Sequence, residues 1–163
     1  MPNRTKPVGG LHWLWLSLVL VIIDQLTKFI IVANIMPYSQ HLIFPGFKLT
    51  LAYNRGAAFS FLDSAGGWQL WLFLLITIVV CVFLGFALQR LKVSQVWLCI
   101  ALAFIIGGAV GNLVDRLTLG YVIDYFLLYA GSWSWPAFNV ADSCICIGAA
   151  MLIIDMLLKK RRR

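Results

Sequence analysis

Every acid in this chain is an aspartate: Asp24, Asp63, Asp115, Asp124, Asp142 and Asp155, with no glutamate anywhere. Two of them could do chemistry together. Asp124 interrupts the apolar, β-prone run Tyr121-Val122-Ile123-Asp124-Tyr125-Phe126, and Asp142 follows Asn139 at i+3 with Ser143 at i+4. Two carboxylates in a low-dielectric cleft cannot both ionise cheaply, so one keeps a proton. The ionised one can take a proton from water while the other donates to a carbonyl oxygen. That is general acid–base hydrolysis of a peptide, with no metal and no covalent intermediate. The apparent pKa values would belong to the pair rather than to either residue.

Each acid also has a plainer reading. Asp142 suits the first turn of a helix, where the macrodipole favours an acid, with Asn139 as N-cap. Asp124 could be an exposed acid on an amphipathic strand. The polar residues around them favour convergence. Asn112, Asp115 and Arg116 stand at i, i+3 and i+4 and share one helix face. Asp115 and Arg116 could simply end a helix at the lipid headgroups, whereas a buried amide such as Asn112 needs partners. Asp24 and Lys28 are four residues apart on one face, with Thr27 beside them, so the pair should turn inward. Structural ion pair and substrate contact are both open for these two. Asn54 could cap a helix, and Gly56 with Ala57 and Ala58 leaves room for a peptide backbone to approach.

The elements that must position these residues are apolar spans. The chain has 163 residues, 62% hydrophobic and 12% charged, well outside the composition of a water-soluble domain. We expect a single integral membrane domain over 1–163, all-α, with four transmembrane helices at about 12–34, 68–88, 95–114 and 138–158. The first run is too long for a secretory signal peptide and is followed by no convincing small-x-small cleavage site. Gly107, Gly108 and Gly111 in the third span allow close helix contact. The outer loops are 35–67 and 115–137. In the first, His41 to Ile43 and Phe47 to Tyr53 flank Pro45-Gly46 and read as a hairpin, with Phe47, Leu49, Leu51 and Tyr53 on its apolar face. The run around Asp124 pairs with this hairpin, giving a small extracytoplasmic β-sheet. Asn54 to Ser60 reads as a strand end entering a short interfacial helix.

Nine basic residues, at 4, 6, 90, 92 and 159–163, fall on one side, against four (Lys28, Lys48, Arg55, Arg116) on or near the other. The positive-inside rule therefore puts both termini in the cytoplasm and both long loops outside. All seven tryptophans lie at or near span ends, as interfacial anchors should. The net charge of +7 is a topology and headgroup signal, and nucleic acid is excluded as a partner because no basic stripe lies on a soluble face. Cys81, Cys99, Cys144 and Cys146 lie in apolar spans without metal-ligand or redox spacing, and His12 and His41 are isolated. No metal and no cofactor are expected. Asp155 sits too far down the fourth span to join Asp142 and is expected to pair with Lys159.

Five blocks, taken in order, carry a resemblance: Asp24-Gln25-Leu26-Thr27-Lys28, Asn54-Arg55-Gly56-Ala57-Ala58-Phe59, Gly111-Asn112-Leu113-Val114-Asp115-Arg116, Val122-Ile123-Asp124 and Phe138-Asn139-Val140-Ala141-Asp142-Ser143. Together they resemble the bacterial lipoprotein signal peptidase family, signal peptidase II, over nearly the whole chain. The resemblance implies a four-helix membrane bundle with a sheet that cradles substrate. It implies an aspartic-type endopeptidase of the bacterial inner membrane, active at the outer face, that removes the signal peptide from prolipoproteins just before a diacylglyceryl-modified cysteine. Asp124 and Asp142 would be the catalytic pair. Asn54, Gly56, Asn112, Arg116 and Asn139 would bind substrate or support the pair, while Asp24, Lys28 and Asp115 match family positions without an assigned role. The partners would be lipid-modified prolipoproteins and membrane phospholipid, with no oligomer required. Burial of acyl chains, worth about 0.8 kcal/mol per CH₂, would hold the cleavage site at bilayer-surface depth.

A small proton-coupled transporter is the rival reading, since it too places aspartates in apolar helices. Transporters usually carry repeats and a polar track at the midplane; here the polar residues cluster outward. A scaffold that merely binds membrane partners has no need of two converging carboxylates.

Overall fold

The computed structural model describes residues 9–56 and 67–161. After a 3-10 turn at Gly10–Trp13, the elements are α1 (Leu14–Asn34), β1 (Gln40–Phe44), β2 (Phe47–Asn54), α2 (Trp68–Arg90), α3 (Val96–Thr118), β3 (Val122–Ala130), β4 (Trp133–Ser134) and α4 (Val140–Arg161). The four helices are long and apolar enough to cross a membrane. A 23-residue helix such as α2 reaches about 34 Å, a little more than the hydrocarbon thickness. Most of its large side chains, Phe83 and Val79 among them, point outward, as they must where lipid is the solvent.

α3 is the central helix, and its small residues explain why. A Cβ on Gly107 would lie 3.0 Å from the Ser17 carbonyl oxygen of α1, and one on Gly108 would lie 2.3 Å from the Ala141 carbonyl oxygen of α4. Gly148 of α4 returns the contact, 2.6 Å from the Ala101 carbonyl oxygen of α3. Backbones therefore touch, which is how helices associate where lipid removes the hydrophobic drive. Leu88, Cys99, Leu102 and Ile106 fill the seam between α2 and α3.

The strands form one antiparallel series in the order β1-β2-β3-β4. Gly46, at φ 92°, closes the β1–β2 turn in the left-handed region that the expected Pro-Gly turn requires. The expected alternation along β2 is broken: Thr50 and Leu51 are both buried. The pairing with β3 shifts register between Leu49 and Ala52, and such a bulge turns two successive side chains off the regular pleat. Chain connectivity puts the sheet at the C-terminal ends of α1 and α3 and the N-terminal ends of α2 and α4. Ile31 of α1 packs under it against Leu51, Ile123 and Tyr125. The α2–α3 turn lies at the opposite end of the bundle. There Lys159 Nζ pairs with Asp155 Oδ2 at 2.7 Å, as the spacing predicts.

Two further sequence expectations shift. α3 continues one turn beyond Val114, so Asp115 and Arg116 are helical residues rather than helix ends. The short helix expected over Asn54 to Ser60 falls largely on residues 57–60, outside the described residues; Asn54 itself closes β2.

Candidate active site

The sheet end of the bundle collects the polar residues. Asn139 precedes α4 and starts it. Its Oδ1 accepts from the Asp142 backbone N–H at 2.9 Å, and its own N–H donates to Asp142 Oδ2 at 3.2 Å. This is a reciprocal capping box built from Asn and Asp. The helix-start reading of Asp142 is therefore correct locally, and it also fixes the carboxylate. Asp142 Oδ1 accepts from Asn112 Nδ2 of α3 at 2.8 Å.

Asp124 enters from β3, opposite Ala52 of β2. It is 3% exposed, which excludes the solvated-strand reading. Its Oδ1 accepts from Asn139 Nδ2 at 2.7 Å and its Oδ2 from Asn54 Nδ2 at 2.9 Å. One residue, Asn139, thus touches both aspartates. Its Nδ2 also donates to Asn112 Oδ1 and to the Ile123 carbonyl, both at 3.2 Å. Asn139 is 0% exposed, so every one of these bonds is made away from bulk water, where an unpaired amide would be costly.

Asp124 and Asp142 line one cavity of about 570 Å³, together with Asn54, Asn112 and Arg116. Its other wall is apolar, from Leu128 and Trp135 at the sheet to Ile145 and Ile147 on α4. Burial first, and then repulsion from Asp142, push the Asp124 carboxyl up to about 7; the amides of Asn54 and Asn139 oppose the shift. A carboxyl poised there can hold or release a proton near neutrality.

Arg116 Nη2 donates to the Gly56 carbonyl at 3.2 Å, and its guanidinium lies 5.3 Å from the Phe73 ring centre on α2. Gly56 N–H in turn donates to Asn54 Oδ1 at 2.9 Å. Arg116 and Gly56 therefore brace the amide that holds Asp124.

Asp24, Lys28 and Asp115 form a buried ionic cluster beneath the cavity. Lys28 Nζ lies 2.8 Å from Asp24 Oδ2 and 2.8 Å from Asp115 Oδ2. Gln25, which sequence reasoning left without a role, donates to Asp115 Oδ1 at 2.8 Å. The signal for it was a polar residue beside Asp24 in an apolar helix.

The chain as a whole is similar to known proteins. The family described as "Signal peptidase (SPase) II" matches residues 16–158. The chain belongs to the signal peptidase II family. It is 54% identical over 152 residues to the lipoprotein signal peptidase of Pseudoalteromonas atlantica, covering 93% of each chain. It is 50% identical over 155 residues to that of Pseudomonas aeruginosa, covering 94% of this chain and 92% of the relative. Two solved bacterial membrane enzymes share the fold. One has a TM-score of 0.83 at 27% identity, covering 93% of this chain and 91% of that one; the other has 0.78 at 28% identity, covering 90% and 92%. As a signal peptidase II, this is a peptidase and a multi-pass membrane protein, consistent with its four apolar helices.

Proposed function

We propose that this signal peptidase II chain cleaves lipid-modified prolipoproteins just before the diacylglyceryl-modified cysteine, with Asp124 and Asp142 as its aspartyl pair. The observation that carries the reading is the Asn139 bridge: one buried amide residue bonds both of the carboxylates that line a largely apolar cavity.

The pair shares one proton, held on Asp124 below about pH 7. Asp142 takes a proton from water as the oxygen adds to the scissile carbonyl carbon, and Asp124 donates its proton to the carbonyl oxygen. The tetrahedral intermediate then collapses. Its C–N bond breaks, Asp142 gives its proton to the leaving amine, and Asp124 recovers one from a hydroxyl of the intermediate. Asn112, Asn139 and Asn54 hold the carboxylates, while Arg116 and Gly56 brace the edge against which substrate backbone lies. The acyl chains and the signal helix enter laterally from the bilayer along α4, so no aqueous channel is needed. This reading requires no oligomer. Both chain ends lie in the cytoplasm, and the cavity opens at the outer face of the inner membrane.

Purified protein mixed with a diacylglyceryl-modified prolipoprotein in detergent tests this. The native chain should release the signal peptide, and Asp124→Asn and Asp142→Asn should each abolish release. An intact precursor, or native rates in both variants, would sink the assignment. For orientation, a green fluorescent protein fused after Arg163 should fluoresce in cells, and alkaline phosphatase fused there should be inactive. The reverse pattern would overturn it.

A further inference from the structure

The two aspartates are held from behind in matching ways. Asp124 is preceded by Ile123, whose backbone N–H donates to Asp115 Oδ2 at 3.1 Å. Asp142 is preceded by Ala141, whose backbone N–H donates to Asp24 Oδ1 at 2.9 Å. The two holding carboxylates come from different helices, α3 and α1. Both pair with one cation, Lys28 Nζ, each at 2.8 Å. The third bond of that ammonium goes to Asn112 Oδ1 at 3.0 Å, and Asn112 Nδ2 reaches Asp142 Oδ1 at 2.8 Å. All three ammonium donors are thereby used, and all three paths lead to the aspartate pair.

We propose that Lys28 is a positioning residue that sets the separation and relative orientation of Asp124 and Asp142. The inference rests on the reading of those two residues as the catalytic pair. Lys28 is 2% exposed and does not line the cavity, so it acts through others and does not touch substrate. A role as helix glue explains less. Backbone contacts at Gly107 and Gly108 already join α1, α3 and α4, and a buried ion cluster is commonly no more stabilising than well-packed apolar residues of similar volume. The cluster also has a direction. Lys28 keeps the Asn112 oxygen toward itself, so the amide nitrogen is presented to Asp142. A flipped amide would set N–H groups against the ammonium. Gln25 fixes the free oxygen of Asp115, so that carboxylate cannot turn away from Ile123.

Among the described residues, the charged and titratable groups around the pair and its network are Asp24 and Lys28 from α1, Asp115 and Arg116 from α3, Tyr125 from β3, and Cys144 and Cys146 from α4. A useful variant must keep their net charge constant. Lys28→Met with Asp115→Asn does so, and leaves an oxygen able to accept from Ile123. Lys28→Met with Asp24→Asn is the equivalent on the other arm. Lys28→Arg keeps the cation but changes its reach, and guards against failure of the double variants to fold. Each is purified in detergent, checked for native thermal unfolding, and assayed on the lipidated precursor across pH.

Positioning predicts that kcat falls on the order of 100-fold, the scale of a 1 Å misplacement, with KM within about twofold of native. It also predicts a narrower pH–rate bell, because carboxylates that drift apart couple less and their two apparent pKa values approach each other. A folded variant with native kcat and native bell width would overturn the proposal and leave Lys28 as charge compensation alone. The Asp124→Asn and Asp142→Asn variants, run beside these, keep the two ideas apart. If they remain active, the catalytic-pair reading itself fails; if they are dead while the Lys28 variants behave as native, only the positioning role falls.

Discussion

Asn139 donates its side-chain amide to Asp124 Oδ1 at 2.7 Å while its backbone and side chain cap the helix that carries Asp142. The cap of one aspartate's helix is therefore the clamp on the other aspartate. Asn139→Ala should lose both roles: about 1 kcal/mol of stability from the cap, and on the order of 10- to 100-fold in turnover from the lost bonds to the pair. Asn139→Ser keeps an oxygen for the cap but cannot reach Asp124. It should recover thermal stability in detergent without recovering activity. Recovery of both would show that the clamp does not matter.

The carboxyl of Asp124 sits at about 7 rather than its ordinary 3.8. The folded chain thus keeps a proton that the unfolded chain gives up as pH rises from about 4 to 7. Stability from neutral Asp124 is full at low pH and is lost as pH rises through 7. Thermal unfolding should show the native protein losing stability over that range. Asp124→Asn, neutral throughout, should be flatter and should melt higher than native at pH 8. The alkaline limb of the native pH–rate profile should fall near 7, where the acid form of Asp124 disappears.

A methyl group on Gly111 would lie 2.7 Å from Asp24 Oδ2 and 3.3 Å from Ala141 Cβ. Gly111→Ala should therefore displace Asp24 from Ala141 and lower both stability and kcat. Gly85 is the control, since nothing lies within 4 Å of its added Cβ on α2. Gly85→Ala should leave activity unchanged and be neutral or stabilising, by up to about 1 kcal/mol. Equal losses in the two variants would refute the contact argument.

Arg116 faces the pair with its charge, which Arg116→Lys keeps, and braces the rim with its reach. Its bond to the Gly56 carbonyl should make Arg116→Lys raise KM several-fold, about 1 kcal/mol of lost bracing. The width of the pH–rate bell should stay native. A narrowed bell with unchanged KM would instead place Arg116 with the Lys28 network.

Much of this was legible in the chain itself. Four long apolar runs prescribe four helices, because lipid accepts a backbone only when its polar groups are satisfied internally. The Pro45-Gly46 turn between short β-prone runs prescribes the hairpin, and the spacing of Asn139 and Asp142 prescribes the cap. The i,i+4 pairs Asp24–Lys28 and Asp155–Lys159 follow from helix periodicity, and both form. These are local rules, and local rules survive without knowledge of the fold.

What only the tertiary structure decided is who meets whom. By spacing alone, Asp115 was better suited to end a helix at the headgroups than to face inward. It is buried against Lys28, 87 positions away along the chain, because α3 runs one turn further and β3 folds back over it. Gln25 reaches Asp115 across 90 positions of chain, which no local rule predicts, and Thr50 is buried where the pairing of β2 with β3 shifts register. Long-range hydrogen bonds and ion pairs depend on distances across packed helices. Those distances are set by close approaches at Gly107, Gly108 and Gly111, which sequence periodicity can suggest but cannot aim.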